Sequence, residues 1–146
     1  MWSIESITLL GVIITLLLFV FETASKNKMQ KQNFFADYTK RYQKIMLHLP
    51  EGLHHSNFDY GQLNAEERDK ILRYIRAYFD LCSEEYDLHL QKLINKKVWE
   101  NWKEGMKSVF SKQAFREAWN MIALDSSYYK DFVHFVNSTL LPGIES

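Results

Sequence analysis

The sequence is short of almost everything that marks a known chemistry. Its 146 residues include one cysteine, Cys82. No internal disulfide can form, which suits a reducing compartment. There are two prolines and five glycines, with no glycine loop of the kind that cradles phosphate, and there is no nucleophile–base motif. No stretch carries a strand pattern. Residues 1–25 contain no lysine or arginine, only Glu5 and Glu22. A cleaved secretion signal has basic residues ahead of its apolar stretch, and "MWSIES" has none.

What is present is unevenly laid out. The chain is neutral in sum, with 18 basic and 18 acidic residues. Lys26, Lys28, Lys31, Lys40, Arg41 and Lys44 face Asp37 alone in residues 26–49, while the rest of the chain beyond them is mildly acidic. Positive charge therefore sits beside the long apolar run "ITLLGVIITLLLFVFE". That is the pattern of a membrane surface rather than of a nucleic-acid groove, so direct nucleic-acid binding is not expected. From Trp2 to Phe21 there are 20 residues, and about 20 helical residues cross a hydrocarbon core. Trp2, Phe19 and Phe21 stand where aromatic rings favour the interfaces. The run is read as a retained transmembrane helix, residues 2–22. The membrane-proximal basic residues Lys26, Lys28 and Lys31 all follow it. By the positive-inside rule the N-terminus is outside and the rest is cytoplasmic.

The span has two faces. At 100° per residue, Glu5, Thr8, Gly11, Thr15 and Glu22 fall within an arc of roughly 120°, opposite Leu9, Leu10, Ile13, Ile14, Leu16, Leu17 and Val20. Carboxylates are costly against lipid and cheaper against protein or water, and small residues let helices approach closely. Two readings stand: a lone helix with tolerated threonines, or a self-associating helix whose polar stripe faces a bundle interior or a pore.

No proline or glycine interrupts the chain between Gly11 and Pro50, and Phe34, Phe35, Tyr38, Tyr42, Ile45, Met46 and Leu49 keep helical spacing. The span is expected to run on as a basic membrane-proximal helix, residues 23–49, some 65–70 Å in all at 1.5 Å per residue. Within "LPEGLHHSNFDYGQLN", residues 50–64 read as a loop. A helical domain follows over 65–140. Asn64 with Glu67 resembles a capping box. The helix after it places Ile71, Leu72, Ile75, Tyr78, Phe79, Cys82, Tyr86, Leu90 and Leu93 on one face. A helix over about 96–110 follows. Ser111 is expected to cap the next helix, and Asp125 or Ser126 the last, which carries Tyr129, Phe132, Val133 and Val136. Trp99, Trp102 and Trp119 are spaced as core residues. The fold class is all-α: a transmembrane helix continuing into a helical bundle.

Several groupings invite a chemical reading. Arg41 and His48, in "RYQKIMLH", lie seven residues apart, on one face of a helix, and are the weak catalytic candidates. Their spacing matches the R-x4-6-H pattern of the HEPN superfamily, whose members often cut RNA without metal; the resemblance implies a proton-moving imidazole and a phosphate-stabilising guanidinium. The plainer reading is a surface arginine and a helix-end histidine. Glu85 and His89 stand one turn apart and read as a surface pair, since a di-iron site needs several more carboxylates. His54, His55 and Asp59 lack a further zinc ligand. No metal and no cofactor is expected. Asn137-Ser138-Thr139 is a glycosylation triplet that the expected orientation puts on the wrong side.

The stretch "RYIRAYFDLCSEEYDLHLQKLINKKVWENWKEGMKSVFSKQAFREAW", Arg73 to Trp119, is similar to an uncharacterised bacterial family of short membrane-anchored helical proteins. Glu84, Glu85 and Tyr86, then Trp99 and Trp102, then Phe115, Arg116 and Trp119 carry the likeness over about a third of the chain. The whole layout resembles the membrane accessory family of type VI-B CRISPR systems, a helical domain of degenerate HEPN-like character behind an N-terminal span. That resemblance implies a homo-oligomeric pore in a bacterial inner membrane, supporting antiviral defence by an RNA-guided nuclease. The rival expectations are a membrane-anchored RNase and a passive anchored adaptor or signalling module.

Overall fold

The computed structural model describes residues 4–124, 128 and 130–141, and the described residues form helices and turns with no strand. The chain divides after Ala36 into two units, 1–36 and 37–146. The first helix, α1, is Ile4–Met46. Its apolar run is long and apolar enough to cross a membrane. Among the described residues of that run none is buried: Leu9, Leu17, Phe19 and Phe21 are all exposed. An uncovered row of this length is unfavourable in water and favourable in hydrocarbon. Trp2 lies outside the described residues. The helix ends at Met46, three residues short of the expected 49, and turns carry the chain through His48 and Leu49. Pro50 is the cause, because it disfavours helical backbone in the residue before it and offers no N–H of its own.

Beyond Ala36 the core belongs to α2 (Ala65–Leu90), α3 (Lys96–Phe110), α4 (Gln113–Ile122), α5 (Lys130–Phe135) and a π-helical turn, Val136–Leu140. Asn64 starts α2 with a complete capping box: its side chain accepts from the Glu67 N–H and the Glu67 carboxylate accepts from the Asn64 N–H. An alanine at position 64 should cost about 1 kcal/mol, seen as a lower urea midpoint with an unchanged slope. Asn95 caps α3 with the side-chain half of that arrangement alone, accepting from the Val98 N–H at 2.8 Å.

The buried seam of α2 is Ile71, Ile75, Tyr78, Phe79, Leu81, Cys82, Glu85 and Leu88. It departs from the expected face at its end, where Leu90 and Leu93 are exposed. The helix stops at Leu90, so the apolar spacing that runs on to Leu93 no longer follows a helical face. Phe79 sits at the centre, edge-on to Trp119 at 5.2 Å and stacked with Phe110 at 5.2 Å. Phe132 meets Trp119 at right angles, 5.9 Å away. Trp99 and Trp119 are buried, and Trp102 packs on Tyr38 at 5.4 Å.

Two details differ from the sequence reading. Residues 50–64 are not an unstructured loop. Two 3-10 turns, Glu51–His54 and Tyr60–Gln62, bury Leu53 and Tyr60, and the Tyr60 hydroxyl donates to the Ala114 carbonyl at 2.8 Å. Ser111 does not cap α4: Lys112 holds that position without a side-chain bond, and the Ser111 hydroxyl turns back to the Ser108 carbonyl. Asp125, Ser126 and Tyr129 lie outside the described residues.

Candidate functional site

Arg41 and His48 engage different partners in the structure. The Arg41 guanidinium is held side-on by the Glu84 carboxylate, Nη1 to Oε2 at 2.6 Å and Nη2 to Oε1 at 3.0 Å. It also lies over the Tyr38 ring, 4.9 Å from its centroid, and the Tyr38 hydroxyl donates to Glu84 at 3.0 Å. The bidentate bond holds the Glu84 carboxyl below its usual range and raises Arg41 above its own. Burial pushes Tyr38 up to about 12, helped by the Glu84 carboxylate. His48 is engaged elsewhere. Its ring stacks on Tyr74 at 4.7 Å, and Nδ1 lies 2.7 Å from the Lys44 carbonyl. A carbonyl only accepts, so Nδ1 carries the proton. Tyr74 and Glu84 are ten residues apart on α2, about 15 Å at 1.5 Å per residue. The imidazole and the guanidinium are thus drawn to points two to three turns apart.

The other sequence candidates also resolve. Glu85 is not on the surface; it is 7% exposed. Burial is the main reason its carboxyl is pushed up to about 8, with Arg41 pulling the other way. His89 instead stacks flat on Trp99, 4.2 Å away, so the Glu85–His89 pairing does not exist. The spacing that placed Ile71, Ile75, Tyr78 and Cys82 in the core also reaches position 85, and that was the signal for it. Cys82 is fully buried, and burial pushes its thiol well above the ordinary range. It is not a nucleophile in the folded state. In the 50–64 segment, Asp59 accepts from the Gly61 N–H. Among the described residues no three His, Cys, Asp or Glu converge as a metal site would require. The Asn137 side chain of the glycosylation triplet accepts from the Trp119 indole at 3.1 Å.

On the apolar helix, the stripe is less hungry for partners than its composition suggests. The hydroxyls of Thr8 and Thr15 donate to the carbonyls of Ile4 and Gly11, each at 2.9 Å. Glu22 pairs with Lys26 at 2.8 Å. Glu5 is exposed, and a Cβ on Gly11 would meet nothing within 4 Å. Gly11 therefore presents bare backbone, open to a second helix. Lys28 and Lys31 are exposed beyond it.

Comparison with family models, with curated proteins and with solved structures finds no match for this chain.

Proposed function

We propose that the chain is a single-pass membrane protein, N-terminus outside and residues beyond the span cytoplasmic, that works by assembling with itself rather than by catalysis. The observation that carries this reading is the uncovered apolar run of α1. A second copy and lipid are the two partners that such a surface fits. The commitment of Arg41 to Glu84, away from His48, favours assembly over RNA cleavage. The wider role, a pore-forming accessory of an RNA-guided antiviral nuclease, rests on the resemblance in layout described above.

Because the two threonine hydroxyls are already bonded within their own helix, self-association is assigned to Gly11. Gly11→Leu should convert a multimer into a monomer, read as the mass of the full chain in detergent. Thr8→Leu with Thr15→Leu should leave the mass unchanged and suppress dye leak in cells, if water lines that face. A wild-type monomer would end the assembly reading. Cleavage of a C-terminal tag by protease added to intact spheroplasts would reverse the orientation.

A further inference from the structure

We propose that the cavity at the joint between α2 and α3 binds a phosphate-bearing anion. The cavity is open to solvent and holds about 550 Å³, within the range of small-molecule sites. Lys92, Lys96 and Lys103 line it, with Glu100 as the acidic residue of its wall. Glu100 is spent on Lys103, at 2.5 Å. The stacked pair His89 and Trp99 forms the apolar wall. Burial lowers the His89 pKa, with Glu100 pulling the other way and Lys103 assisting; the ring, flat on Trp99, presents an aromatic surface to the cavity. Lys92 and Lys96 make no direct ion pair with Glu100, although Lys96 is near enough to act on it through space. Lysine ammonium groups are point donors suited to phosphate oxygens.

Two of the three lysines occupy positions that local energetics disfavour. Lys92 has φ of 58°, the left-handed region where glycine or asparagine is usual. It stands just past the end of α2, where its N–H bonds the His89 carbonyl and the Leu93 N–H bonds the Leu88 carbonyl. That is the Schellman arrangement with lysine in the glycine place. Lys96 begins α3, where a positive charge meets the positive end of the helix dipole. A sequence selected for stability alone would place neither residue there. Both become useful if an anion sits between them. This inference does not depend on the pore or on antiviral defence.

The experiment uses the full chain in phosphatidylcholine nanodiscs, titrated with inorganic tripolyphosphate and followed by tryptophan fluorescence. Wild type should bind saturably. Lys92→Gly should raise Tm, by relieving the left-handed backbone, and weaken binding. Combined with Lys96→Gln the loss should reach about tenfold or more. Lys130→Gln, an exposed lysine on α5 that does not line this cavity, should leave binding unchanged. Repeating the titration with phosphatidylglycerol in the discs separates two sources of the same chemistry: competition marks a lipid headgroup, and its absence marks a soluble phosphate. The proposal is overturned if wild type shows no saturable binding. It is also overturned if the double substitution leaves the affinity intact, or if Lys130→Gln weakens it equally.

Discussion

Glu85→Gln is expected to stabilise the 37–146 unit at pH 7–8 and to destabilise it slightly at pH 4. Glu85 is buried, and its carboxyl is held protonated up to about pH 8 against an ordinary value of 4.5. Between those two values the unfolded chain releases this proton and the folded chain keeps it. Stability therefore falls as pH rises, by about 1.4 kcal/mol per pH unit. At pH 7 the burden is roughly 3 kcal/mol, and below 4.5 it vanishes. Glutamine has nearly the same shape and no charge to release, but it brings an amide that wants partners, at about 1 kcal/mol. The net gain at neutral pH is thus about 2 kcal/mol. Glu84 works in the opposite sense: Arg41 lowers its pKa, so its contribution is present above the unfolded value and is lost as pH falls through the folded one. Subtracting wild-type from variant urea midpoints at each pH removes the groups common to both and leaves Glu85 together with its coupling to Glu84. A difference that is flat from pH 4 to 8 would mean that Glu85 is ionised in the fold, supported by Arg41.

The second large effect concerns the apolar helix. Ile13 and Leu17 lie one turn apart, opposite the arc of Glu5, Thr8, Gly11, Thr15 and Glu22, and both are exposed. A lysine at the centre of a span costs about 2.5–3.5 kcal/mol. On the proposed membrane reading, the double substitution Ile13→Lys, Leu17→Lys should therefore cost roughly 5–7 kcal/mol of insertion free energy and move the protein out of the carbonate-resistant membrane fraction. A chain that stays membrane-bound would show that this face is turned to protein or water. Lysine at Thr15, on the polar arc, should be tolerated better if the arc meets other helices. Equal loss at both faces would describe a helix surrounded by lipid on every side.

Much of the fold could be read because helical spacing and helix caps are local signals. The α3 limits, the Asn64–Glu67 box and the buried Trp99 and Trp119 all come from residues within a few positions of one another. What escaped depends on contacts across the chain or on backbone geometry that side chains do not announce. Tyr60 became core because α4 offers it the Ala114 carbonyl, 54 residues away in sequence. Glu84 holds Arg41 across 43 residues, and nothing in "RYQKIMLH" points to it. Glu85 was passed over because a carboxylate at a seam position looks like surface. Lys92 carried no warning because its left-handed backbone occurs where neither glycine nor asparagine stands. The spacing of Arg41 and His48 assumes one continuous helix face, whereas the helix ends at Met46 and His48 lies in the turn before Pro50.

Cys82 gives the molecule a built-in clock. It is the sole thiol in the sequence, it is sealed in the centre of α2, and its proton is held tightly by its surroundings. An alkylating reagent can reach it only while the surrounding structure is open. With excess reagent the labelling rate becomes the opening equilibrium multiplied by the rate for a free thiol, so mass spectrometry can report conformational free energy without any denaturant.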